Sequence, residues 1–126
     1  MLKEGLQYTS KIKIEEKHTA IYYGSGGLSV FATPAMVALM ENAAMLSVAE
    51  YLPQGMDTVG VSVEIEHTKA SPFGAVIEAT AVLTKVEGRK LIFSLKANDE
   101  KGEIGKGTHV RYIIDKVKFM NKLQGS

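Results

Sequence analysis

Glu41 stands inside the apolar run VFATPAMVALMENAA, residues 30–44, and His67 closes an alternating segment in the phase of its valines. An ionised carboxylate on an apolar helix is unfavourable unless something pairs with it or uses it. A carboxylate and an imidazole that meet in a half-buried site can tune one another, giving a general base at neutral pH. Thr33, at the opening of the same run, adds a hydroxyl. From Thr33 to Glu41 is about 12 Å along a helix rising about 1.5 Å per residue. Joint action therefore requires side-chain reach, a bound substrate, or a fold that brings His67 between them. Each residue also has a structural alternative. Thr33 before Pro34 suits a helix N-cap, Glu41 a buried carboxylate satisfied by backbone or tyrosine, and His67 a strand-end histidine bonded to the core.

His109 and Arg111 form a second pair, two apart in GKGTHVRY and so on one face of a strand. Gly105 and Gly107 share that face and leave room beside it. The pair reads as a cationic or hydrogen-bonding wall for an anionic ligand or a thioester oxygen, or as a solvated face with an ion pair. Glu87-Gly88-Arg89-Lys90 reads as a charged hairpin turn. His18 shows no metal-ligand spacing with the other histidines, and neither HExxH nor a phosphate-binding GxxxxGK[ST] occurs. No metal site and no cofactor are expected.

The elements that must position these groups follow from periodicity. Ser10 to Glu16 alternates and predicts a first strand. IYYGSGGLS, residues 21–29, carries three glycines in four positions and predicts a mobile loop or short edge piece, placed to cover a site. Thr33-Pro34 opens a helix that should reach about Tyr51 before Pro53 and Gly55 stop it. Pro34, Val37, Ala38, Glu41, Ala44, Met45 and Val48 share one stripe of that helix, with Leu39, Ala43 and Leu46 opposite, so it is apolar almost all round. Val59, Val61, Val63 and Ile65 then alternate with Thr58, Ser62, Glu64 and Glu66, and His67 continues the apolar phase. Further strands are expected over 75–86, 90–98 and 103–115, forming a β-meander, ahead of a frayed polar tail ending NKLQGS.

One strand, one long buried helix and four antiparallel strands make an α+β hotdog fold, a sheet of about five strands wrapped around a central helix. Residues 1–126 should form a single domain. Such a sheet leaves edges exposed, so a homodimer is expected at minimum, with a dimer of dimers as the larger option.

Composition narrows the class of function. Apolar residues make up 45% and charged residues 23%, as in ordinary folded proteins. Fifteen Lys plus Arg against fourteen Asp plus Glu leave a net charge of +1, too small a field for a dedicated nucleic-acid binder. With no cysteine there is no thiolate nucleophile or disulfide framework, which fits a reducing cytoplasm. The N-terminal MLKEGLQYTSKIKIEE lacks a signal peptide's apolar segment, and no run of about 18 apolar residues occurs. Neither export nor membrane spanning is expected.

The segments VFATPAMVALMENAA, VGVSVEIEHTKASPFG, VEGRKLIFSLKANDEKGEIGKGTHVRYII and KFMNK resemble the hotdog-fold thioesterases, and within them the fluoroacetyl-CoA thioesterase family. The similarity covers most of the chain from Val30 onward. It implies an acyl-CoA thioesterase in which Thr33, Glu41 and His67 form the catalytic set, Gly60 lines the acyl site and Arg111 is an active-site arginine. It also implies dimers with acyl-CoA sites at the subunit interface, CoA being part of the substrate. One departure stands out. The fluoroacetyl-specific enzyme has a longer, aromatic-rich lid before its VFAT segment, whereas IYYGSGGLS is short and glycine-rich. The resemblance therefore implies hydrolysis of other short or medium acyl thioesters to carboxylic acid and CoA, with water as final nucleophile. A non-catalytic acyl-CoA binding module and a hotdog dehydratase or hydratase are the alternatives. The carrier, CoA or acyl carrier protein, and the role of Thr33, nucleophile or cap, stay open.

Overall fold

Alternation of apolar and polar residues builds five strands, and one long apolar segment builds the helix they enclose. The computed structural model describes residues 1–125. In chain order the elements are β1 (Gln7–Lys13), a 3-10 turn (Glu16–His18), α1 (Ala20–Tyr23), α2 (Thr33–Ala49), β2 (Met56–His67), β3 (Val76–Glu87), β4 (Lys90–Asp99), β5 (Gly102–Asp115) and α3 (Lys116–Leu123). All pairings are antiparallel, in the order β1-β3-β4-β5-β2.

The expected meander is confined to β3, β4 and β5. β2 lies beside β5 at one edge of the sheet, while β1 takes the other side of β3. The chain after His67 crosses from one side to the other and is held on the way by backbone bonds from Thr68 to Ile104 O (2.8 Å) and from Phe31 to Ser71 O (2.9 Å). A segment tied to β5 and to the start of α2 cannot turn straight back as a hairpin.

α2 buries Met36, Leu39, Met40, Ala43, Ala44, Ser47 and Val48 against Ile77, Leu83, Leu91, Phe93 and Ile104 of the sheet. The stripe holding Pro34, Val37, Ala38 and Glu41 is turned to the flank of this contact, and Glu41 is only half-buried. Apolarity around the whole circumference left the true core face unmarked, because burial follows the sheet's curvature and not the local pattern. Ser10 of β1 donates to Asn42 Oδ1 at 2.6 Å, which locks the helix over the sheet.

The Val59 to Ile65 alternation is broken by a bulge between Gly60 and Ser62. Before it, Thr58 and Gly60 face the same side as Ile113 and Arg111; after it, Val63, Ile65 and His67 take that side, opposite His109, Gly107 and Gly105. Val61 is the extra residue. It is 55% exposed and Val63 36%, on an edge strand that no other strand covers among the described residues.

Three local expectations change. The first strand begins earlier and ends at Lys13, because Glu15 N–H donates to His18 Nδ1 (2.9 Å) and closes a 3-10 turn. Residues 21–23 of the expected loop belong to one helical turn, Ala20–Tyr23, with Thr19 Oγ1 accepting from Tyr22 N–H and Gly24 closing it at φ +70°. The tail is helical over Lys116–Leu123, capped by Asp115, whose Oδ1 accepts from Lys118 N–H; Ser126 lies outside the described residues.

Gly105 fits the helix to the sheet. A Cβ there would lie 2.7 Å from Met36 Sδ and 2.8 Å from Glu66 O. Met36 therefore fills the room that Gly105 was expected to leave for a ligand. Gly105→Ala is expected to lower stability by about 1–3 kcal/mol through overpacking, seen as a depressed Tm; an unchanged Tm would show that the helix can move off β5 at no cost.

Candidate active site

Thr33 is the first helical residue of α2, and the cap position belongs to Ala32, which has no side-chain cap. The threonine hydroxyl is therefore not spent on the helix end. Its Oγ1 lies 2.8 Å from His67 Nδ1. Two devices bring them together: α2 starts where Ala32 N–H bonds His18 O (2.9 Å), and β2 ends with His67 opposite Gly105, against which Met36 packs.

His67 is half-buried, with the Phe31 ring edge-on at 6.1 Å between centroids. Its Nε2 is buried without a hydrogen-bond partner among the described residues. Burial lowers its pKa from the ordinary histidine value, with the backbone at Lys69 acting in the opposite sense. A neutral imidazole whose Nδ1 accepts from the Thr33 hydroxyl can take that proton. A cavity of about 260 Å³ opens beside the pair, lined by Ser25, Val30, Phe31, Thr33, His67 and Lys69.

The loop after His67 is anchored by residues that pattern reasoning did not single out. Ser71, fully buried, donates to Asp99 Oδ2 at 2.9 Å, and Asp99 Oδ1 accepts from Lys101 N–H at 2.8 Å. Burial pushes the Asp99 carboxyl up, but the Lys101 amide, the Ser71 hydroxyl and the Lys69 ammonium together outweigh it, leaving the pKa below the usual value. In the sequence these residues look like ordinary turn chemistry.

Glu41 does not meet His67 within the chain. It belongs to a second group, with Gly60, His109 and Arg111. The point where a side chain on Gly60 would begin is 3.1 Å from Glu41 Oε2, 3.1 Å from His109 Cε1 and 3.5 Å from Arg111 Nη1. A shallow cleft of about 430 Å³ lies there, between Ala38, Glu41 and Met45 of α2 and Thr58, Gly60 and Arg111 of the sheet. Arg111 is 7% exposed: Nε donates to Thr58 Oγ1 (2.8 Å) and Nη2 to Thr58 O (2.9 Å). Burial lowers its pKa, while the carboxylates of Glu41 and Asp57 oppose that shift. His109 is 1% exposed, with Nδ1 2.8 Å from Ser62 O and Nε2 3.2 Å from Arg111 Nη1. Thr58 was missed because the bulge reverses the inward phase, so a residue expected to face outward is buried.

A five-stranded antiparallel sheet around one long helix is a hotdog fold, and a hydroxyl in contact with an imidazole at the helix start suits hydrolytic chemistry. Comparison with known proteins agrees. The family profile described as FlK, fluoroacetyl-CoA-specific thioesterase, matches residues 14–117. The fluoroacetyl-CoA thioesterase of Streptantibioticus cattleyicolor is 43% identical over 95 residues, 75% of this chain and 68% of the relative. A solved structure of the fluoroacetyl-CoA thioesterase FlK superposes with a TM-score of 0.93 at 34% identity, covering 100% of this chain and 98% of the other. A hot-dog-like protein from Thermanaerovibrio acidaminovorans shares the fold alone, with a TM-score of 0.90 at 22% identity over 98% and 92% of the two chains. The chain belongs to the fluoroacetyl-CoA-specific thioesterase family and is an acyl-CoA thioester hydrolase.

His67 titration gives a direct check on the site. Because burial disfavours the charged ring, a histidine NMR titration should place its pKa below 6.5. The stability that His67 contributes by staying neutral is present above the unfolded pKa and is lost as pH falls through the lower folded one. A measured pKa at or above 6.5 would mean that the ring is hydrated or carries an unrecognised acidic partner.

Proposed function

We propose that this acyl-CoA thioesterase hydrolyses short or medium acyl thioesters at a site built from two copies of the chain, with Thr33, Glu41 and His67 as its catalytic set. The observation that carries the reading is the 2.8 Å contact between Thr33 Oγ1 and His67 Nδ1, made by a threonine that does not cap its helix. His67 takes the hydroxyl proton as Thr33 Oγ attacks the thioester carbonyl. The tetrahedral intermediate collapses by breaking the C–S bond, and CoA leaves as the thiol once protonated by the imidazolium. Water, deprotonated in turn by the base system, attacks the acyl-threonine and releases the carboxylic acid. No step requires a cofactor, and CoA is part of the substrate. In this reading Gly60 leaves room for the acyl group and the Arg111 guanidinium stabilises negative charge developing on oxygen.

Glu41 and the Thr33–His67 pair occupy separate stretches of one chain. The open β2 edge, with Val61 and Val63 exposed, supports a homodimer that extends the sheet across a twofold axis. In that arrangement Glu41 of the partner subunit completes the site whose His67 Nε2 lacks a partner. The short segment from Gly24 to Gly27 offers no bulky side chain to close over the acyl group, which supports a broader acyl range than fluoroacetyl. The absence of cysteine supports work in the cytoplasm. No helix is long and apolar enough to cross a membrane among the described residues.

Thiol release from a panel of acyl-CoA thioesters tests the assignment. Thr33→Ala, Glu41→Gln and His67→Asn should each lower kcat by roughly 10²–10⁴ while the variants stay folded, and kcat/KM of the native enzyme should fall on acidification below 6.5 as His67 protonates. Wild-type hydrolysis by these variants, or acyl-CoA binding without CoA release, would overturn it. Mixing unfolded-refolded Thr33→Ala and Glu41→Gln chains should recover about a quarter of the wild-type rate, the statistical share of intact composite sites in random dimers. No recovery, or a monodisperse monomer in light scattering at micromolar concentration, would remove the shared site.

A further inference from the structure

Arg111 is a buried cation whose three fixed hydrogen bonds all run to neutral acceptors: the Thr58 hydroxyl, the Thr58 carbonyl and the His109 ring. Among the described residues no carboxylate lies within ion-pair distance of it. A buried guanidinium is ordinarily matched by an acid, because removing its hydration is unfavourable and a carboxylate restores part of the loss. Here the hydrogen bonds are restored by neutral groups, and the carboxylates of Glu41 and Asp57 act on the charge only from beyond ion-pair distance.

The His109 tautomer follows from its partners. Ser62 O can only accept, so Nδ1 carries the hydrogen, and Nε2 is left with the lone pair that receives Arg111 Nη1–H. The ring also lies against Phe93, with centroids 6.0 Å apart, which fixes its plane. The two strands cooperate through register: His109 pairs with Val63 and Arg111 with Gly60, so the bulge at Val61 sets the spacing between Ser62 O and Thr58. The result is a bracket in which β2 supplies three acceptors, two directly from Thr58 and one through His109. Nη1 is thereby left beside the space above Gly60, 3.5 Å from where a side chain would begin, with Glu41 Oε2 3.1 Å from the same point.

We propose that His109 and Thr58 are positioning residues: they hold the Arg111 guanidinium charged and aimed at the space above Gly60, and act on the thioester only through it. An acid at either position would orient the guanidinium equally well but would quench the charge that a developing oxyanion or a carboxylate product needs. This replaces the expectation that His109 binds substrate itself, since both its ring nitrogens are engaged within the chain. The inference rests on the reading of Arg111 as a substrate-contacting residue.

A double-mutant cycle separates the two claims. In the full-length enzyme, Thr58→Val and His109→Leu should each lower kcat/KM on the order of a hundredfold, the penalty for misplacing a group by about an ångström. Thr58→Ser, which keeps both acceptors, should recover most of it. His109→Gln, which can present an acceptor near the Nε2 position, should outperform His109→Asn. In an Arg111→Met background the same changes should have less than about a twofold further effect, because the group they position is gone. Losses that persist undiminished beside Arg111→Met, or a Thr58→Ser variant as poor as Thr58→Val, would overturn the positioning role while leaving Arg111 in place. Wild-type kinetics for Arg111→Met would overturn both claims. Should Thr58→Val fail to fold, Thr58→Ser and the His109 pair carry the same comparison. Independently, ring ¹⁵N shifts of His109 in the native enzyme should report hydrogen on Nδ1; hydrogen on Nε2 would refute the bracket.

Discussion

The pairing of β2 with β5 is the contact on which the arrangement of functional side chains depends. Along a strand the side chains alternate faces, so a single inserted residue exchanges inside for outside over everything beyond it. The bulge at Val61 performs that exchange once, between Gly60 and Ser62. Upstream of it Thr58 and Gly60 turn inward to meet Arg111; downstream His67 turns inward opposite Gly105. Without the bulge, one of the two polar groups would face away from α2. The same residue explains the exposed apolar edge, because Val61 and Val63 sit on the outermost strand.

The helix answers to this register. Met36 packs on Gly105, at a separation that a methyl group would violate, and so delivers Thr33 to His67 at the end of β2. Eight residues after Thr33, on the flank of the core contact, Glu41 overlooks Gly60. One rigid rod thus presents a hydroxyl at its start and a carboxylate farther along, and the sheet supplies a different partner for each. A helix apolar round most of its surface suits this duty, since it is gripped on several sides and cannot rotate to relieve either end.

Electrostatically, the two groups are unlike. The Thr33–His67 pair is neutral and kept so by burial of the ring, which suits proton transfer near neutrality. In the second group the Arg111 guanidinium is buried and held by uncharged acceptors, Thr58 on β2 and His109 on β5, with the Glu41 carboxylate nearby but not in ion-pair contact. Low local dielectric strengthens both arrangements, the first by discouraging protonation and the second by making the guanidinium charge act more strongly over a short distance.

Much of this architecture is legible in the amino-acid order. The long helix after Thr33-Pro34, the Gly88-Arg89 hairpin and the strands over 75–86, 90–98 and 103–115 all follow from local periodicity and turn chemistry, and the structure forms them within a few residues. So does the presence of Glu41 and His67 as polar groups in apolar company, because period and residue type are properties of short segments. Three matters were beyond it. Whether Thr33 caps the helix or presents its hydroxyl depends on where Ala32 is tied, by a bond to His18 that no local pattern announces. The pairing of β2 with β5, and not with β3, is a choice among edges made by the whole sheet. The separation of Glu41 from His67 follows from β2 ending beside the helix start, and the inward turn of Gly60 and Thr58 toward Arg111 from a one-residue bulge that alternation conceals. Sequence determined which groups exist and which segments carry them; tertiary structure decided which groups meet, because meeting depends on register and on contacts between residues far apart in the chain.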